Sequence, residues 1–398
     1  MRVFQINSVC GIRSTGRIAT DIYNTLKSNG HECVIAYGRE EAQNIDKNDI
    51  VKIGNKYDVL CHALLSRLTD RTGFYSKKAT YGLVKKIKEY NPDIIQLHNI
   101  HGYYINLEVL FEYFSKIDTP VVWTLHDCWP FTGHCAYYDN AGCNKWKTGC
   151  FKCPQKKEYP TSILLDNSKK NYLKKSEFFN SVKNLHFIAI SEWIAAQARQ
   201  SFLKDKSITV IHNGIDLTQF KPTESNFRQK YSIEGKKIIL GVANIWDKRK
   251  GFDTFIELAK RISSKEIIVM VGLSDKQLSE LPQNIIGVKR TNSIKELAEI
   301  YTEADVFVNP TMEDNLPTVN IEALACGTPV ITYDTGGSPE CISPESGIVV
   351  PKGDIEGLIN GITKANFSQE NLLKHSRNFD KTKKYKEYID VYKRCLND

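Results

Sequence analysis

The sequence predicts an α/β fold in which two successive units each alternate strands with helices. Short apolar runs rich in β-branched residues recur along the chain, as at 93–98 and 305–309, and such runs are typical of buried parallel strands. Helical patterns lie between them, and a second series of strands and helices begins near residue 236. At 398 residues the chain is long enough for two or three domains.

The elements of the first unit follow one another in short steps. Apolar runs predict its strands at 2–7, 31–37, 93–98, 120–126, 186–190 and 207–212. Apolar residues at helical spacing predict its helices after Gly16, at 57–71, at 80–90, at 162–184 and from residue 192. The pattern at 162–184 is rich in lysine, which suits either a helix lying on a membrane surface or an ordinary surface helix.

The second unit repeats this alternation and ends in a long helix. Its strands are predicted at 236–243, 267–272, 285–288, 305–309 and 328–333, with one more reaching Val350. Its helices are predicted from Phe252, at 293–304, at 319–325, from Asp354 and at about 383–396. The sequence contains no window of about 18 apolar residues, so no membrane span is predicted.

The positive charge of the chain is concentrated in its first half. The net charge is +8, and residues 1–200 hold 27 lysines and arginines against 19 acidic residues, whereas the remainder holds 27 of each. A basic unit suits nucleic acid, an anionic membrane surface or a phosphate-bearing acceptor, and no nucleic-acid motif accompanies it. The N-terminus predicts a strand and not a signal peptide. We therefore expect a cytoplasmic protein that keeps its thiols reduced and binds no nucleic acid.

One stretch, 309–337, concentrates the polar chemistry of the second unit. Two carboxylates and an amide, Glu313, Asp314 and Asn315, directly follow a predicted strand, and Pro317 suits the first turn of the next helix. Ligands of open α/β sheets bind at the carboxyl ends of strands, and helix N-termini attract phosphate. The stretch therefore predicts a ligand site. An ordinary strand–helix–strand unit with solvated acids is the alternative.

The same stretch resembles the donor-sugar motif of the retaining family-four glycosyltransferases. In that family a Glu is followed by seven residues, a second Glu and then Ala-x-Ala-x-Gly-x-Pro-Val-Ile. The second half of the pattern is matched by Glu322, Ala323, Ala325, Gly327, Pro329, Val330 and Ile331. Asp314 occupies the position of the first Glu, and Glu313 stands beside it. The resemblance implies two Rossmann-like domains facing across a cleft (the GT-B fold), with a C-terminal helix that crosses back to the first domain.

The resemblance also implies donor contacts in the second domain. Asp314 or Glu313 would hold the hydroxyls of the donor sugar in the catalytic site, and Glu322 would hold the ribose. Backbone N–H groups beside the sugar and phosphates would come from Asn315, Leu316 and Pro317.

The segment N-I-W-D-K-R-K-G at 244–251 is a second candidate for donor binding. Three cations at a strand–helix junction suit a pyrophosphate, with solvated surface lysines as the alternative. Lys250 and the glycine after it match the Lys-Gly that holds phosphate in the family. The usual Arg of the family would fall at Asn244, and Arg249 is a candidate substitute.

In the first domain the candidates are a glycine loop and two histidines at strand ends. The segment G-I-R-S-T-G-R at 11–17 is a candidate phosphate cradle, with Gly16 as its best match to the family, and a plain tight turn is the alternative. Two strands deliver His98 and His126 to the same edge of a parallel sheet. His126 with Asp127 matches a strand-end His-Asp whose His approaches donor sugar and acceptor in the family. For His98, a satisfied polar cap is an equally good interpretation.

The resemblance implies a division of the chain into two domains and a returning helix, and it implies the reaction catalysed. An acceptor-binding domain would span 1–215 with a Cys-rich insertion at about 127–160, a nucleotide-sugar-binding domain would span 222–380, and a helix at 381–398 would return to the first domain. The reaction would be that of a retaining, metal-independent hexosyltransferase that takes a nucleoside diphosphate sugar and needs no catalytic cofactor. The sequence contains no Asp-x-Asp metal motif.

The segment H-D-C-W-P-F-T-G-H-C at 126–135 resembles a branch of the family found in bacterial colanic-acid and capsular polysaccharide synthesis. That branch implies a lipid-diphosphate-linked oligosaccharide acceptor at the inner face of the cell membrane, and peripheral association with anionic membrane. The alternatives are a nucleotide-sugar epimerase or hydrolase, and a non-catalytic nucleotide- or lipid-binding module of the same fold.

A cluster of cysteines predicts a structural zinc site. Cys150 and Cys153 have the C-x-x-C spacing of a metal knuckle, and Cys135 and Cys143 supply two more thiolates for a closed tetrahedral site. His134 is an alternative ligand. The segment at 127–160 is a long loop for a compact domain and needs a cross-link to hold it in place. Two disulfides or unpaired core thiols are the alternatives.

Overall fold

The computed structural model describes residues 1–397 and divides the chain into two compact units. The first comprises Met1–His212 together with the chain from Lys384 onward, and the second comprises Asn213–Lys383. Each unit contains one sheet in which every strand pair is parallel. None of the helices in residues 1–397 combines the length and the apolar character needed to span a bilayer.

The first unit is built on a seven-stranded sheet. Its strands are β1 (Arg2–Asn7), β2 (Glu32–Tyr37), β3 (Ile50–Lys52), β4 (Ile94–Leu97), β5 (Val121–Leu125), β6 (Leu185–Ala189) and β7 (Ser207–Val210). Its helices are α1 (Arg13–Ser28), α2 (Lys56–Thr69), α3 (Lys77–Tyr90), α4 (Leu107–Phe114), α5 (Ser168–Ser181) and α6 (Glu192–Arg199). The strand order is β3-β2-β1-β4-β5-β6-β7, so the chain adds strands on one side of β1 as far as β3 and on the other side from β4 onward. Ligands of open α/β sheets bind at such a switch point.

The second unit has the same design on six strands. Its strands are β8 (Lys237–Val242), β9 (Glu266–Val271), β10 (Ile285–Val288), β11 (Val306–Asn309), β12 (Val330–Tyr333) and β13 (Gly347–Val350). Its helices are α7 (Phe227–Lys230), α8 (Phe252–Ala259), α9 (Asp275–Ser279), α10 (Ile294–Glu303), α11 (Thr318–Ala325), α12 (Ile355–Lys364) and α13 (Gln369–Ser376). The strand order β10-β9-β8-β11-β12-β13 reverses between β8 and β11.

The last helix, α14 (Lys381–Asn397), belongs to the first unit for most of its length. Tyr385, Tyr388 and Tyr392 recur at helical spacing on one face, and all three are buried in the core of the first unit. The hydroxyl of Tyr392 donates a hydrogen bond to Gln96 Oε1 on β4 at 3.0 Å. The prediction of an α/β fold with two Rossmann-like sheets and a C-terminal helix that returns to the first unit is confirmed.

Close packing in the second unit brings α8 onto the sheet. Gly241 on β8 carries no side chain where Phe255 of α8 lies, and a Cβ at that position would sit 2.4 Å from the ring. The segment that precedes α8, which contains the predicted phosphate-binding lysine, is thereby held at the carboxyl end of β8.

The prediction of a helix over 162–184 is wrong for its first turns, because α5 begins only at Ser168. The backbone N–H of Ile163 instead donates to the carbonyl of Arg67 at 2.6 Å, and that of Leu165 donates to the carbonyl of Leu68 at 3.1 Å. These bonds satisfy carbonyls at the end of α2 and hold 163–165 out of helical geometry. The short helix α4 was not predicted.

Candidate functional site

Polar side chains converge where neighbouring strands of the first sheet end. His98 follows β4 directly, His126 follows β5, and Gln5 lies on β1. His98 Nε2 lies 2.8 Å from Gln5 Oε1, and His98 Nδ1 lies 3.0 Å from His126 Nε2. The structure thus brings together the two histidines that the sequence assigns to one edge of the sheet. It adds a glutamine that the sequence analysis missed.

The orientation of Gln5 fixes which nitrogen carries the proton in each ring. Its amide nitrogen donates to the carbonyl of Ala19 at 3.1 Å, so its oxygen faces His98 and accepts from Nε2–H. His98 Nδ1 then accepts from Nε2–H of His126, which makes Nδ1 the unprotonated nitrogen of His126. Burial lowers the pKa of His126 to about 4 and that of His98 well below its ordinary value, so both rings are neutral near pH 7.

A further buried histidine, His101, orients the carboxylate next to His126. His101 Nε2 lies 2.8 Å from Asp127 Oδ2, and its Nδ1 lies 3.1 Å from the hydroxyl of Tyr159. The other oxygen of Asp127 accepts from the backbone N–H of Trp129 at 2.9 Å. Burial raises the pKa of Asp127, but the charge and hydrogen bond of His101 outweigh it and hold that pKa below its ordinary value. Asp127 is therefore an ionised and fixed neighbour of His126.

The prediction that the glycine loop extends through Gly16 is wrong, because α1 begins at Arg13 and Gly16 lies in its first turns. Gly11 has a φ of +72°, and a Cβ there would lie 1.7 Å from the carbonyl oxygen of Gln43. Its N–H donates to the carbonyl of Gly16 at 3.1 Å. A Cβ on Gly16 would meet Val9 Cγ2 at 3.0 Å. Close backbone packing thus accounts for the glycines, and the phosphate role of Gly16 stays a prediction.

The candidate donor residues of the second unit form paired contacts between two loops. The ammonium of Lys250 forms an ion pair with Asp314 Oδ2. Arg249 Nη1 donates to the carbonyl of Glu313 at 3.1 Å, and the carbonyl of Arg249 accepts from the N–H of Met312 at 2.7 Å. Two segments that are more than 60 residues apart in sequence are thereby joined at the carboxyl ends of adjacent strands β8 and β11.

Glycines make the close approach of these loops possible. Gly251, with a φ of +81°, lies against Pro310, and a Cβ there would sit 2.4 Å from the carbonyl oxygen of Pro310. Gly336, with a φ of +55°, lies against Asp314, and a Cβ there would sit 1.7 Å from the backbone oxygen. The next residue, Gly337, donates its N–H to the same oxygen at 3.1 Å. A side chain at either φ-positive glycine would push these loops apart.

Glu322 lies on α11, and its Oε2 accepts a hydrogen bond from the hydroxyl of buried Tyr301 at 3.1 Å. Asn315 and Leu316 precede α11 and are buried. Pro317 stands immediately before the helix and has no N–H. The prediction that all three residues supply backbone N–H groups is therefore wrong for Pro317, while Asn315 and Leu316 retain theirs.

The four cysteines of the predicted zinc site line one small cavity together with His134. None of the 11 cysteines, all of which lie within residues 1–397, forms a disulfide, so the two disulfides considered as an alternative are not formed. Within residues 1–397, however, no three His, Cys, Asp or Glu side chains stand in an arrangement that could hold a metal ion. The zinc site therefore stays a prediction.

His134 has a contact that bears on that prediction. Its Nδ1 pairs with the buried carboxylate of Asp70, while its Nε2 is buried without a hydrogen-bond partner. The N–H of Gly133 donates to Cys150 Sγ at 3.1 Å. A carboxylate on one nitrogen of a histidine is the usual outer contact of a metal-bound histidine, so these groups have the chemistry of a zinc ligand set.

Comparison with known proteins gives two family matches. Residues 15–219 match the family described as Glycosyltransferase Family 4, and residues 236–365 match Glycosyl transferases group 1. The putative colanic acid biosynthesis glycosyl transferase WcaC of Escherichia coli K12 is 25% identical over 415 residues, which cover 98% of this chain and 99% of that protein.

Two further proteins are similar to the chain. The N,N'-diacetylbacillosaminyl-diphospho-undecaprenol alpha-1,3-N-acetylgalactosaminyltransferase of Campylobacter jejuni is 31% identical over 168 residues, which cover 39% of this chain and 44% of that protein. The crystal structure of Anabaena HepE in complex with UDP and glucose superimposes with a TM-score of 0.68 and 14% identity, and covers 98% of this chain and 99% of that one. That structure supports the fold.

Proposed function

The chain belongs to Glycosyltransferase Family 4, and we propose that it transfers a sugar from a nucleoside diphosphate donor to an acceptor hydroxyl with retention of anomeric configuration. The observation that carries this proposal is the ion pair between Lys250 and Asp314, at the carboxyl ends of β8 and β11, with Asp314 eight residues before Glu322. It joins a cation suited to phosphate with a carboxylate suited to sugar hydroxyls.

The donor is proposed to bind to the second unit. Negative charge develops on the departing diphosphate, and a cation that is already in place stabilises it without reorganisation. The ammonium of Lys250 has that role, and Arg249 is a second cation of the same loop. Asp314 or Glu313 accepts hydrogen bonds from the sugar, and Glu322 accepts them from the ribose. The Anabaena HepE complex with UDP and glucose supports a nucleotide sugar as the donor.

Catalysis is proposed to need no divalent metal and no other cofactor. Metal ions in sugar transfer neutralise the leaving diphosphate, and here Lys250 with the N–H groups of Asn315 and Leu316 supply that stabilisation. Neutral His126, held by His98, orients the donor, and the departing phosphate takes the acceptor proton on the same face of the sugar. The transferred unit is proposed to be a hexose.

The acceptor is proposed to be a lipid-diphosphate-linked oligosaccharide in bacterial surface polysaccharide synthesis, bound to the first unit. The concentration of positive charge in residues 1–200 suits an acceptor that carries a diphosphate. Two relatives, a putative colanic acid biosynthesis transferase and a transferase named for a diphospho-undecaprenol sugar, support this choice. The protein would then work in the cytoplasm, at the inner face of the cell membrane.

A panel of nucleoside diphosphate sugars tests the proposal. We expect one donor to bind and to be hydrolysed slowly alone, and to be turned over faster when a synthetic lipid-diphosphate disaccharide is added. The coupling constant of the anomeric proton in the product, measured by NMR, should match that of the donor. An inverted product would contradict retention, and turnover that stops in chelator would contradict metal independence.

The same panel separates the alternatives. An epimerase or hydrolase would convert the donor completely and would not respond to the acceptor. A non-catalytic module would bind a nucleotide or the lipid without any turnover. Either outcome would replace the transferase proposal.

A further inference from the structure

Helix α2 buries polar side chains and exposes large apolar ones, which is the reverse of the usual arrangement in a surface helix. Its fully buried side chains are polar, His62 and Ser66, while Tyr57, Leu60 and Leu64 on its outer face are 76%, 54% and 58% exposed. A surface helix of a globular unit normally turns its apolar side to the core. Here more than half of the surface of each of these three apolar side chains is exposed to solvent.

The orientation of α2 is fixed by hydrogen bonds. His62 Nδ1 lies 2.8 Å from the hydroxyl of Ser76, and its Nε2 accepts from the N–H of Gly73 at 3.2 Å. Asn55 and Asp58 close the start of the helix with reciprocal side-chain to backbone hydrogen bonds. The outward position of the leucines is therefore specified by the fold and does not result from a loose helix.

A second apolar segment continues this face. Ile163, Leu164 and Leu165 are 63%, 63% and 52% exposed. Their backbone is bonded to the last turn of α2, through Ile163 N–H to the carbonyl of Arg67 and Leu165 N–H to the carbonyl of Leu68. We call the combined set the apolar surface, which consists of Tyr57, Leu60, Leu64, Leu65, Ile163, Leu164 and Leu165. Contiguous exposed apolar surface of this kind marks an interaction site.

Basic residues flank both segments of the apolar surface in sequence. Exposed Lys56 and Arg67 lie on α2 against one acid, Asp58, and Lys156 Nζ donates to the carbonyl of Leu164 at 3.2 Å. Residues 152–170, on either side of 163–165, contain five lysines and two acidic residues. One of the two acids, Asp166, already accepts hydrogen bonds from the backbone of Cys153 and Ser168. These flanks, the rim of the apolar surface, therefore carry net positive charge.

We propose that the apolar surface docks onto the headgroup region of an anionic lipid bilayer. Aliphatic side chains bounded by lysine and arginine enter the interface while the cations meet lipid phosphates. A second copy of the chain would bring two cationic rims together, which like-charge repulsion disfavours. The surface deepens the proposed function, on which its role rests, since a lipid-linked acceptor is met at the bilayer and the same unit would receive it.

Vesicle co-sedimentation of the full chain tests this surface. The probes are vesicles of phosphatidylcholine alone and of equal parts phosphatidylcholine and phosphatidylglycerol. We expect binding to the anionic vesicles that weakens as salt shortens the Debye length. The double variant L64S/L164S should bind at least about tenfold more weakly, because it removes two leucines that insertion into the lipid interface would bury. The matched control is Leu396→Ser, which removes a leucine that is 42% exposed on α14, outside the apolar surface, and should bind like the native chain.

Four results would overturn the proposal. They are no binding to the anionic vesicles, unchanged binding by the double variant, equal binding to both kinds of vesicle, and a dimer in solution that the double variant abolishes. Thermal unfolding of the double variant should match the native protein, because the substituted side chains are exposed. Donor hydrolysis in the absence of vesicles separates this proposal from the proposed function. Hydrolysis without vesicle binding defeats only the membrane surface, and vesicle binding without any turnover defeats only the transferase.

Discussion

His126 Nε2 lies 3.0 Å from His98 Nδ1, and this contact links the proposed catalytic histidine to the residue that follows β4. His98 Nε2 is bonded in turn to Gln5 Oε1 at 2.8 Å, although 93 positions of sequence separate these two residues. All three side chains are buried. The protonated nitrogen of His126 is thus selected by a glutamine on another strand.

Replacing Gln5 should lower turnover more than donor affinity. In Gln5→Leu, Nε2–H of His98 loses its acceptor. The proton of His98 can then move to Nδ1, which would donate to His126 Nε2 and reverse the direction of that hydrogen bond. We expect kcat to fall about tenfold or more while KM for the donor changes little. The matched control is Gln96→Leu, which changes the same residue type at the paired position of β4 but leaves His98 untouched. If both variants lose the same activity, Gln5 acts through packing and not through His98.

Buried His126 should make the protein less stable as the solution becomes acidic. Its pKa is about 4 in the folded state against 6.5 ordinarily, so the unfolded chain binds more protons between those values. The free energy of unfolding should therefore be highest above pH 6.5 and decline as pH falls toward 4. Urea unfolding of His126→Gln across this range should show a shallower decline. His212→Gln, which changes a partly exposed histidine, serves as the control, and equal slopes in His126→Gln and the native chain would contradict the assignment.

Lys250→Ala and Glu322→Ala should each abolish transfer without unfolding the chain. Each change removes a charge-assisted contact of about 1.5–3 kcal/mol, and the loss of Lys250 also removes stabilisation of the leaving diphosphate. Steady-state kinetics with the donor found in the panel measures the effect. Lys295→Ala, at a side chain that is 77% exposed, should keep normal turnover. Near-normal turnover in either site variant would show that the donor lies elsewhere.

The two neighbouring carboxylates should differ in their effect on the donor. Asp314 is paired with Lys250, whereas Glu313 is only 4% exposed and its carbonyl is held by Arg249. We expect Asp314→Ala to weaken donor binding more than Glu313→Ala, by about tenfold. The double variant K250A/D314A should lose less than the sum of the two single losses, because the partners are coupled. Additive losses, or a larger effect from Glu313, would move the sugar contact to Glu313.

Protein purified without chelator should contain about one zinc per chain. Four thiols line one cavity beside His134, whose buried Nε2 is without a hydrogen-bond partner, so the cavity lining has the chemistry of a zinc ligand set. Cys150→Ser should lose the metal, and Cys61→Ser, at an exposed cysteine of α2, should keep it. Elemental analysis measures both. Metal-free native protein whose 127–160 segment resists proteolysis would contradict the zinc prediction.

Local patterns in the sequence were sufficient for the fold class and the donor motif. Strand runs, helix spacing and the turn glycines depend on neighbours within a few residues, so they can be recognised without a structure. The stretch that holds Asp314 and Glu322 is of this kind. The cysteine spacing and the concentration of positive charge in the first half can also be read directly from the chain.

Only the tertiary structure decided the contacts between residues that are far apart in sequence. Gln5 reaches His98 and Lys250 reaches Asp314 because parallel strands align segments that the chain separates. Tyr392 reaches Gln96 across 296 positions because α14 packs back onto the first unit. The outward face of α2 has the same origin. The apolar spacing of α2 shows which residues share a face, but not whether that face is buried or exposed. Hydrogen bonds from His62 to Ser76 and Gly73, which lie beyond the helix, turn the leucines to solvent.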